Sequence, residues 1–87
     1  MAIQVAVADL RISDRTAEKL RDDHDLDPDD VREAVEDVPG LQGKADFDPD
    51  RGWRIILVVQ VKDEACRIVL YPTDDDAVWH LGSAYPV

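Results

Sequence analysis

The sequence lacks most of the features that identify a membrane, secreted or metal-dependent protein. Its one cysteine, Cys66, lies inside the apolar stretch "ACRIVLY", so no disulfide can form within the chain and the thiol is predicted to be a small buried hydrophobe. The longest apolar run, "IILVV", is far shorter than a membrane span, and no basic start leads into an apolar stretch as in a signal peptide. A lone thiol suits a reducing compartment, and we therefore expect a cytoplasmic protein.

Basic residues are scarce. The chain of 87 residues holds 10 Lys and Arg against 20 Asp and Glu, a net charge of −10. Residues 1–50 carry a balance of −9 and residues 51–87 a balance of −1. A uniformly acidic face repels phosphate backbones and so disfavours nucleic-acid binding. The aspartate bias is equally typical of a GC-rich genome or a high-salt cytoplasm, so the charge alone identifies no function.

The N-terminal region predicts one uncertain strand followed by a helix. A chain of this length forms one hydrophobic core, and we expect a single domain over residues 1–87. Alternating apolar residues in "AIQVAV" predict a strand that kinks near Ala8, although residues 1–9 would also suit a loose tail. Ser13 is typical of a helix start, and helical spacing continues to His24, a residue expected to interact with the free carbonyls of the helix end.

The stretch "DLDPDDVREAVEDVPG" predicts a second helix. Asp27 is suited to cap its start, and Pro28 fits the first helical position. One apolar stripe follows at helical spacing, formed by Val31, Ala34, Val35 and Val38. Pro39-Gly40 is predicted to end the helix, and the acidic residues around the stripe would face water.

The rest of the chain predicts strands. "LQGKADF", "WRIILVVQV", "ACRIVLYP" and "VWHLGSAY" are each extended in character and are separated by short turns. The expected fold class is α+β, in the order (β)ααββββ. Two N-terminal helices would form a hairpin packed on one face of an antiparallel sheet of four or five strands.

Both faces of the strand "WRIILVVQV" are largely apolar, although helices would cover only one of them. Ile56 and Val58 lie beside Arg54 on the face that the helices would leave open. A partner protein or a second copy of the chain would cover this face, and a symmetric homodimer or a heteromeric complex is therefore expected.

The phrase "ISDRTAEKLRDDHDLDPDDVREAVED", followed by "RGWRIILVVQVKDEACRIVLYP" and a last strand, resembles the small BrnT-like toxins. The resemblance covers about residues 10–85, and in the phrase "DDHDLDPDDVREAV" it places His24 and Val31 at positions that match the pattern of the family. It implies the RelE/ParE architecture, a type II toxin–antitoxin system with a cognate antitoxin as partner, and messenger-RNA endonuclease activity.

RNA cleavage requires a base, cations for the transition-state phosphate and an acid for the leaving oxygen. The near-neutral second half supplies the residues that would form such a catalytic site, Arg54, Arg67, His80 and Tyr85. Nearby residues would bind the RNA, in part by stacking on its bases, namely Arg51, Trp53 and Trp79. The alternative is structural, since such side chains commonly form the solvated face of a sheet or complete its core.

A second hypothesis is a non-catalytic, acidic protein-binding module that resembles a nucleic acid or an inhibitor. Its surface would be the Asp-rich helical face, with Asp29, Asp30, Glu33 and Asp37 contacting a basic partner. No cofactor and no metal site are predicted, because Asp74–Asp76 are consecutive and lack the alternate spacing of a calcium loop. The two hypotheses differ in whether the cations of the strands form one cleft.

Overall fold

Two helices and six strands form the chain in the computed structural model, which describes residues 2–87. The helices are α1 (Asp14–His24) and α2 (Pro28–Val35). The strands are β1 (Ala2–Val5), β2 (Asp9–Arg11), β3 (Leu41–Asp48), β4 (Gly52–Val61), β5 (Glu64–Pro72) and β6 (Val78–Pro86). The predicted α+β class is confirmed, and none of the helices in this range is long and apolar enough to cross a membrane.

Side-chain caps begin both helices where the sequence predicts. The Ser13 hydroxyl accepts a hydrogen bond from the Thr16 backbone N–H at 3.2 Å, and the Asp27 carboxylate accepts one from the Asp29 N–H at 2.9 Å. Both bonds satisfy amides that have no partner within the helix. On α2, Val31 and Val35 are fully buried, as the apolar stripe predicts.

Helix α2 ends at Val35, three residues before the predicted end of its apolar stripe. Tertiary contacts explain the early end. The Glu36 carboxylate accepts a hydrogen bond from the Leu10 N–H at 2.8 Å, and the Asp37 N–H donates to the Val7 carbonyl at 2.8 Å. Asp37 has a positive φ of 57°, so the chain leaves the helix to bind strand β2.

The sheet has six strands in the order β1-β3-β4-β5-β6-β2, which corrects the predicted four or five. It is also mixed rather than fully antiparallel, because β2 pairs with β6 in parallel. The physical reason is a break at residues 6–8, which divides the predicted N-terminal strand into two pieces that pair at opposite edges.

This arrangement requires the sheet to curl. The four residue steps from Val5 to Asp9 span at most about 14 Å, whereas the outer strands of a flat six-stranded sheet would lie about 24 Å apart. Val7 in the connecting segment is buried in the same core as the inner-face residues, so the sheet curls toward the side of the helices. That core is continuous from the helices to the sheet; its fully buried side chains include Leu10, Leu20, Val31, Val35, Cys66, Ile68 and Leu70.

Candidate functional site

The outer face of the sheet is the face opposite the helices. On β4, Leu57 and Val61 are buried toward the helices, while Val58 points outward and is 55% exposed. The predicted alternation of this strand is therefore confirmed. The outer face is formed by Gln42, Lys44, Asp46 and Asp48 of β3, Arg54, Ile56, Val58 and Gln60 of β4, Arg67, Val69 and Tyr71 of β5, and His80, Ser83 and Tyr85 of β6.

Arg54 is held in a network of hydrogen bonds and ion pairs on this face. Its Nε donates to Asp46 Oδ2 at 2.7 Å, and Nη2 lies 2.6 Å from the same oxygen. Nη1 lies 3.4 Å from Asp48 Oδ2 and donates to the Tyr71 hydroxyl at 3.2 Å. The hydrogen bonds to Tyr71 and Asp46 raise the pKa of Arg54 above its usual value. Two carboxylates therefore neutralise this predicted catalytic cation.

Tyr71 is central to the same network. Its hydroxyl donates to Asp48 Oδ2 at 2.9 Å, and the Arg51 guanidinium lies 4.0 Å from the centroid of its ring. A cation at this distance over an aromatic face is attracted by the ring quadrupole. The cluster of Asp46, Asp48, Arg51, Arg54 and Tyr71 thus satisfies its own charges and ties the β3–β4 turn to β5.

We expect the Asp48 cluster to make stability depend on pH. The backbone N–H of Asp50 and the Tyr71 hydroxyl, with a further effect of the Arg54 charge, lower the pKa of Asp48 below its usual value. A lowered folded-state pKa contributes stability that is complete above the unfolded value of about 3.9 and is lost as pH falls through the folded-state value. Wild-type stability should therefore fall more steeply below about pH 4 than that of Asp48→Asn. Denaturant unfolding across pH 2.5–7 would measure this, and parallel curves would contradict the assignment.

A second group of side chains lies at the other end of the outer face. The Arg67 guanidinium carbon is 5.9 Å from the centroid of the Tyr85 ring, and the His24 ring centroid is 6.0 Å from that of Tyr85. Among residues 2–87, no carboxylate pairs with Arg67. Sequence reasoning placed Arg67 and Tyr85 together but missed His24, because His24 is more than 40 residues upstream and its pattern indicated only a helix end.

The four predicted catalytic residues do not lie in one cleft: Arg54 belongs to the first group and Arg67 and Tyr85 to the second, while His80 lies beside Tyr71 on β6. Arg67 pairs across the strands with Val58, four residues along β4 from Arg54, a separation of about 13 Å. His80 pairs with Tyr71 and therefore lies at the level of Arg54. The side chains of Ile56 and Val69 lie between the two levels.

The predicted RNA-binding aromatics are placed differently from one another. Trp79 packs against the core, and its indole N–H donates to the Ala6 carbonyl at 3.1 Å. Trp53 is 63% exposed and makes an edge-on contact with Phe47, with ring centroids 5.3 Å apart. It lies on the inner face, beyond the helices, and not beside the outer-face cations.

A shallow depression of about 630 Å³ occupies the outer face between β1 and β6. Ile56 and Val58 contribute apolar surface to it, Lys44 and Arg67 line it with positive charge, and the Asp46 carboxylate, which is paired with Arg54, also lines it. Neither Lys44 nor Arg67 pairs with a carboxylate of the part of the chain that the structure describes. The depression therefore combines apolar surface with two cations that are available to a ligand.

The predicted acidic contacts lie in the helical layer, residues 14–37, which carries a net charge of −7. Asp29 and Asp30 are each 3.4 Å from a cation, Arg32 and Lys62 respectively, whereas Glu33 and Asp37 are exposed. Within residues 2–87, no three His, Cys, Asp or Glu side chains are grouped closely enough to hold a metal ion. The helical layer is thus acidic and is partly neutralised by two ion pairs, one within the layer and one to Lys62 after β4.

The comparisons with protein families, curated proteins and solved structures found no match for this chain. The geometry of the outer face therefore carries the functional inference. At one end of this face, Ile56 and Val58 provide apolar surface between the cations Lys44 and Arg67. At the other end, Asp46 and Asp48 neutralise Arg54.

Proposed function

We propose that this chain is a toxin-like partner-binding protein whose outer sheet face takes an extended segment of a second protein. The main support for this proposal is the depression in which Ile56 and Val58 lie between Lys44 and Arg67, the two cations that form no ion pair within residues 2–87. The BrnT-like phrase in the sequence supports the same role, because a cognate antitoxin would be such a second protein.

The chemistry of the depression specifies the segment. Val58 is 55% exposed, so an apolar side chain placed on it would remove that surface from water. Lys44 and Arg67 line the same depression, and each could form an ion pair with a carboxylate of the segment without first breaking an internal ion pair. A segment that alternates apolar and acidic side chains fits both features.

The Arg54 cluster argues against catalysis at its end of the face. A phosphate of RNA would have to displace Asp46 and Asp48 from Arg54, and both carboxylates would then repel it. The cluster instead fixes the β3–β4 turn and leaves the depression as the accessible part of the face.

An NMR titration would test this proposal. A peptide with alternating leucine and glutamate, added at physiological salt, should shift the backbone resonances of Lys44, Ile56, Val58 and Arg67. Arg67→Glu should weaken binding at least about tenfold, because a cation is replaced by a repelling charge in contact with the peptide. Arg15→Glu makes the same charge change on an exposed residue of α1 that forms no ion pair within residues 2–87, and this variant should bind as the wild type does. Equal weakening by both variants would show that only net charge matters.

RNA cleavage is the second candidate function, and one observation favours it. His24 and Arg67 each lie about 6 Å from the Tyr85 ring, and within residues 2–87 no carboxylate forms an ion pair with either of them, so an imidazole, a phenol and a cation are grouped around one aromatic ring. The acidic helical layer beside His24 opposes RNA binding.

A cleavage assay would separate this candidate from the first. If the group is catalytic, purified protein should cut single-stranded RNA, and His24→Ala, Tyr85→Phe and Arg67→Ala should each abolish cutting, whereas His80→Ala should not. Intact RNA with every folded variant, the wild type included, would eliminate this candidate and leave peptide binding unaffected.

A further inference from the structure

The inner face of the sheet carries a row of apolar side chains at the end where β3 finishes and β4 begins. Phe47 and Trp53 pair directly across β3 and β4, and Pro72 and Trp79 pair across β5 and β6. The register of β4 and β5, continued by two residues to the end of β5, places Pro72 beside Trp53. Four neighbouring strands therefore each contribute one apolar residue to the same level of the sheet.

Phe47 and Trp53 form the open part of this row. Exposure on the inner face of β4 rises from 2% at Leu57 to 63% at Trp53, and Phe47 is 54% exposed, so the helices do not cover this end. The two ring centroids lie 5.3 Å apart, and the ring planes are inclined by 72°. The rings therefore form two walls of a corner that is open to a ligand, which we call the aromatic corner.

The two loops beside the aromatic corner are acidic. Turn 49–51 joins β3 to β4 and loop 73–77 joins β5 to β6, so both leave the sheet at this end. They carry the exposed residues Asp50 and Asp74–Asp76 against one cation, Arg51, whose guanidinium lies over Tyr71 on the outer face. Asp50 is three residues from Trp53, and Asp74 is two residues from the end of β5, at most about 7 Å along the chain.

We propose that the aromatic corner binds an arginine side chain from a basic segment of a partner protein. A cation over the face of an aromatic ring is attracted by the ring quadrupole, and tryptophan attracts it most strongly. Arginine suits the corner better than lysine, because its planar guanidinium stacks flat on a ring while its N–H groups donate to carboxylates at the side. The chain contains the same contact on its outer face, where Arg51 lies 4.0 Å from the centroid of the Tyr71 ring.

Charge complementarity identifies a basic segment as the occupant. Asp50 and Asp74–Asp76 attract a cationic segment, whereas they repel a phosphate backbone, an anionic lipid surface and a second copy of this chain, which itself carries −10. An uncharged apolar segment would cover the rings but would leave no partner for the carboxylates that it shields from water. The aromatic corner lies on the face opposite the depression, so this site does not depend on the proposed function.

An NMR titration with a peptide of alternating arginine and glycine, added at low ionic strength, would test this site. The peptide should shift the indole Nε1–H resonance of Trp53 and the backbone resonances of Phe47 and Asp74. Trp53→Leu should raise the dissociation constant at least about tenfold, because it keeps an apolar side chain but removes the ring face. Val58→Ala, on the outer face, should bind this peptide as the wild type does.

Matched controls separate the aromatic corner from general attraction between opposite charges. A peptide in which citrulline replaces arginine keeps the planar shape without the charge, and it should leave the Trp53 resonance unchanged. Asp74→Asn/Asp76→Asn should weaken binding at least about threefold, and Asp75 is kept because its carboxylate accepts a hydrogen bond from the Ala77 N–H within the loop. Asp22→Asn/Asp23→Asn makes the same charge change on exposed residues of α1 and should bind as the wild type does.

Circular dichroism would confirm that every variant folds. Added salt should weaken binding, because it screens the attraction between the arginines and the acidic loops. An unchanged Trp53 resonance, equal binding of the citrulline peptide, full affinity of Trp53→Leu, or equal weakening by the two double variants would overturn the proposal.

Discussion

Replacing Ile68 with alanine should lower the free energy of unfolding by about 2–5 kcal/mol. Ile68 is fully buried at the centre of β5, where it faces the helices and pairs with Ala84 of β6. Truncation removes buried methyl and methylene groups, and the small Ala84 side chain cannot fill the space that they leave. The loss is a large fraction of the total stability of a domain of this size.

Chemical denaturation would measure this change, with Val58→Ala as the control. Val58 is apolar and lies on the neighbouring strand, but it is 55% exposed, so its truncation should cost less than about 0.5 kcal/mol. Similar losses for the two variants would mean that the helices do not cover the inner face.

Replacing Gly43 with alanine should destabilise the chain by about 1–3 kcal/mol. A Cβ at this position would lie 2.8 Å from the Ile56 backbone carbonyl oxygen and 2.6 Å from the Ile55 Cγ2 methyl. The Ile55 side chain can rotate away, but the Ile56 carbonyl is fixed in the sheet. The β3–β4 pair must therefore separate slightly, and the strain should appear as lower stability.

Thermal or denaturant unfolding would measure the effect of Gly43→Ala beside that of Gln42→Ala. Gln42 is the exposed neighbour of Gly43 on the same strand, so its truncation tests the strand without adding atoms against β4. A destabilisation that is no larger for Gly43→Ala would contradict the close approach of β3 and β4 at this point.

Local signals in the sequence predicted the helices and the main strands. Ser13 and Asp27 cap their helices through hydrogen bonds that span three residues or fewer, so neighbouring residues are sufficient to identify them. The alternation of β4 is similarly local, and it correctly separated Leu57 from Val58. The early end of α2 was missed because Glu36 binds Leu10, which is 26 residues away in the sequence.

The sheet edges and the site depend on pairings that no local pattern encodes. Nothing in "AIQVAVADLRI" shows that its two halves join strands at opposite edges. The neutralisation of Arg54 requires the register of β3 and β4, which places Asp46 directly opposite it. Likewise, only the packing of α1 against β6 brings His24 to Tyr85.

The short connection between β1 and β2 has a consequence for synthesis of the chain. Residues 2–11 leave the ribosome well before β6, and the hydrogen bond between Ala6 and Trp79 joins positions 73 residues apart. Val5, Val7 and Leu10 therefore have no completed core to enter until β6 has emerged. Closure of the sheet must follow the synthesis of β6, and its long-range contacts favour slow folding. Until then the nascent chain exposes both sheet edges, and its dependence on chaperones should be greatest in this interval.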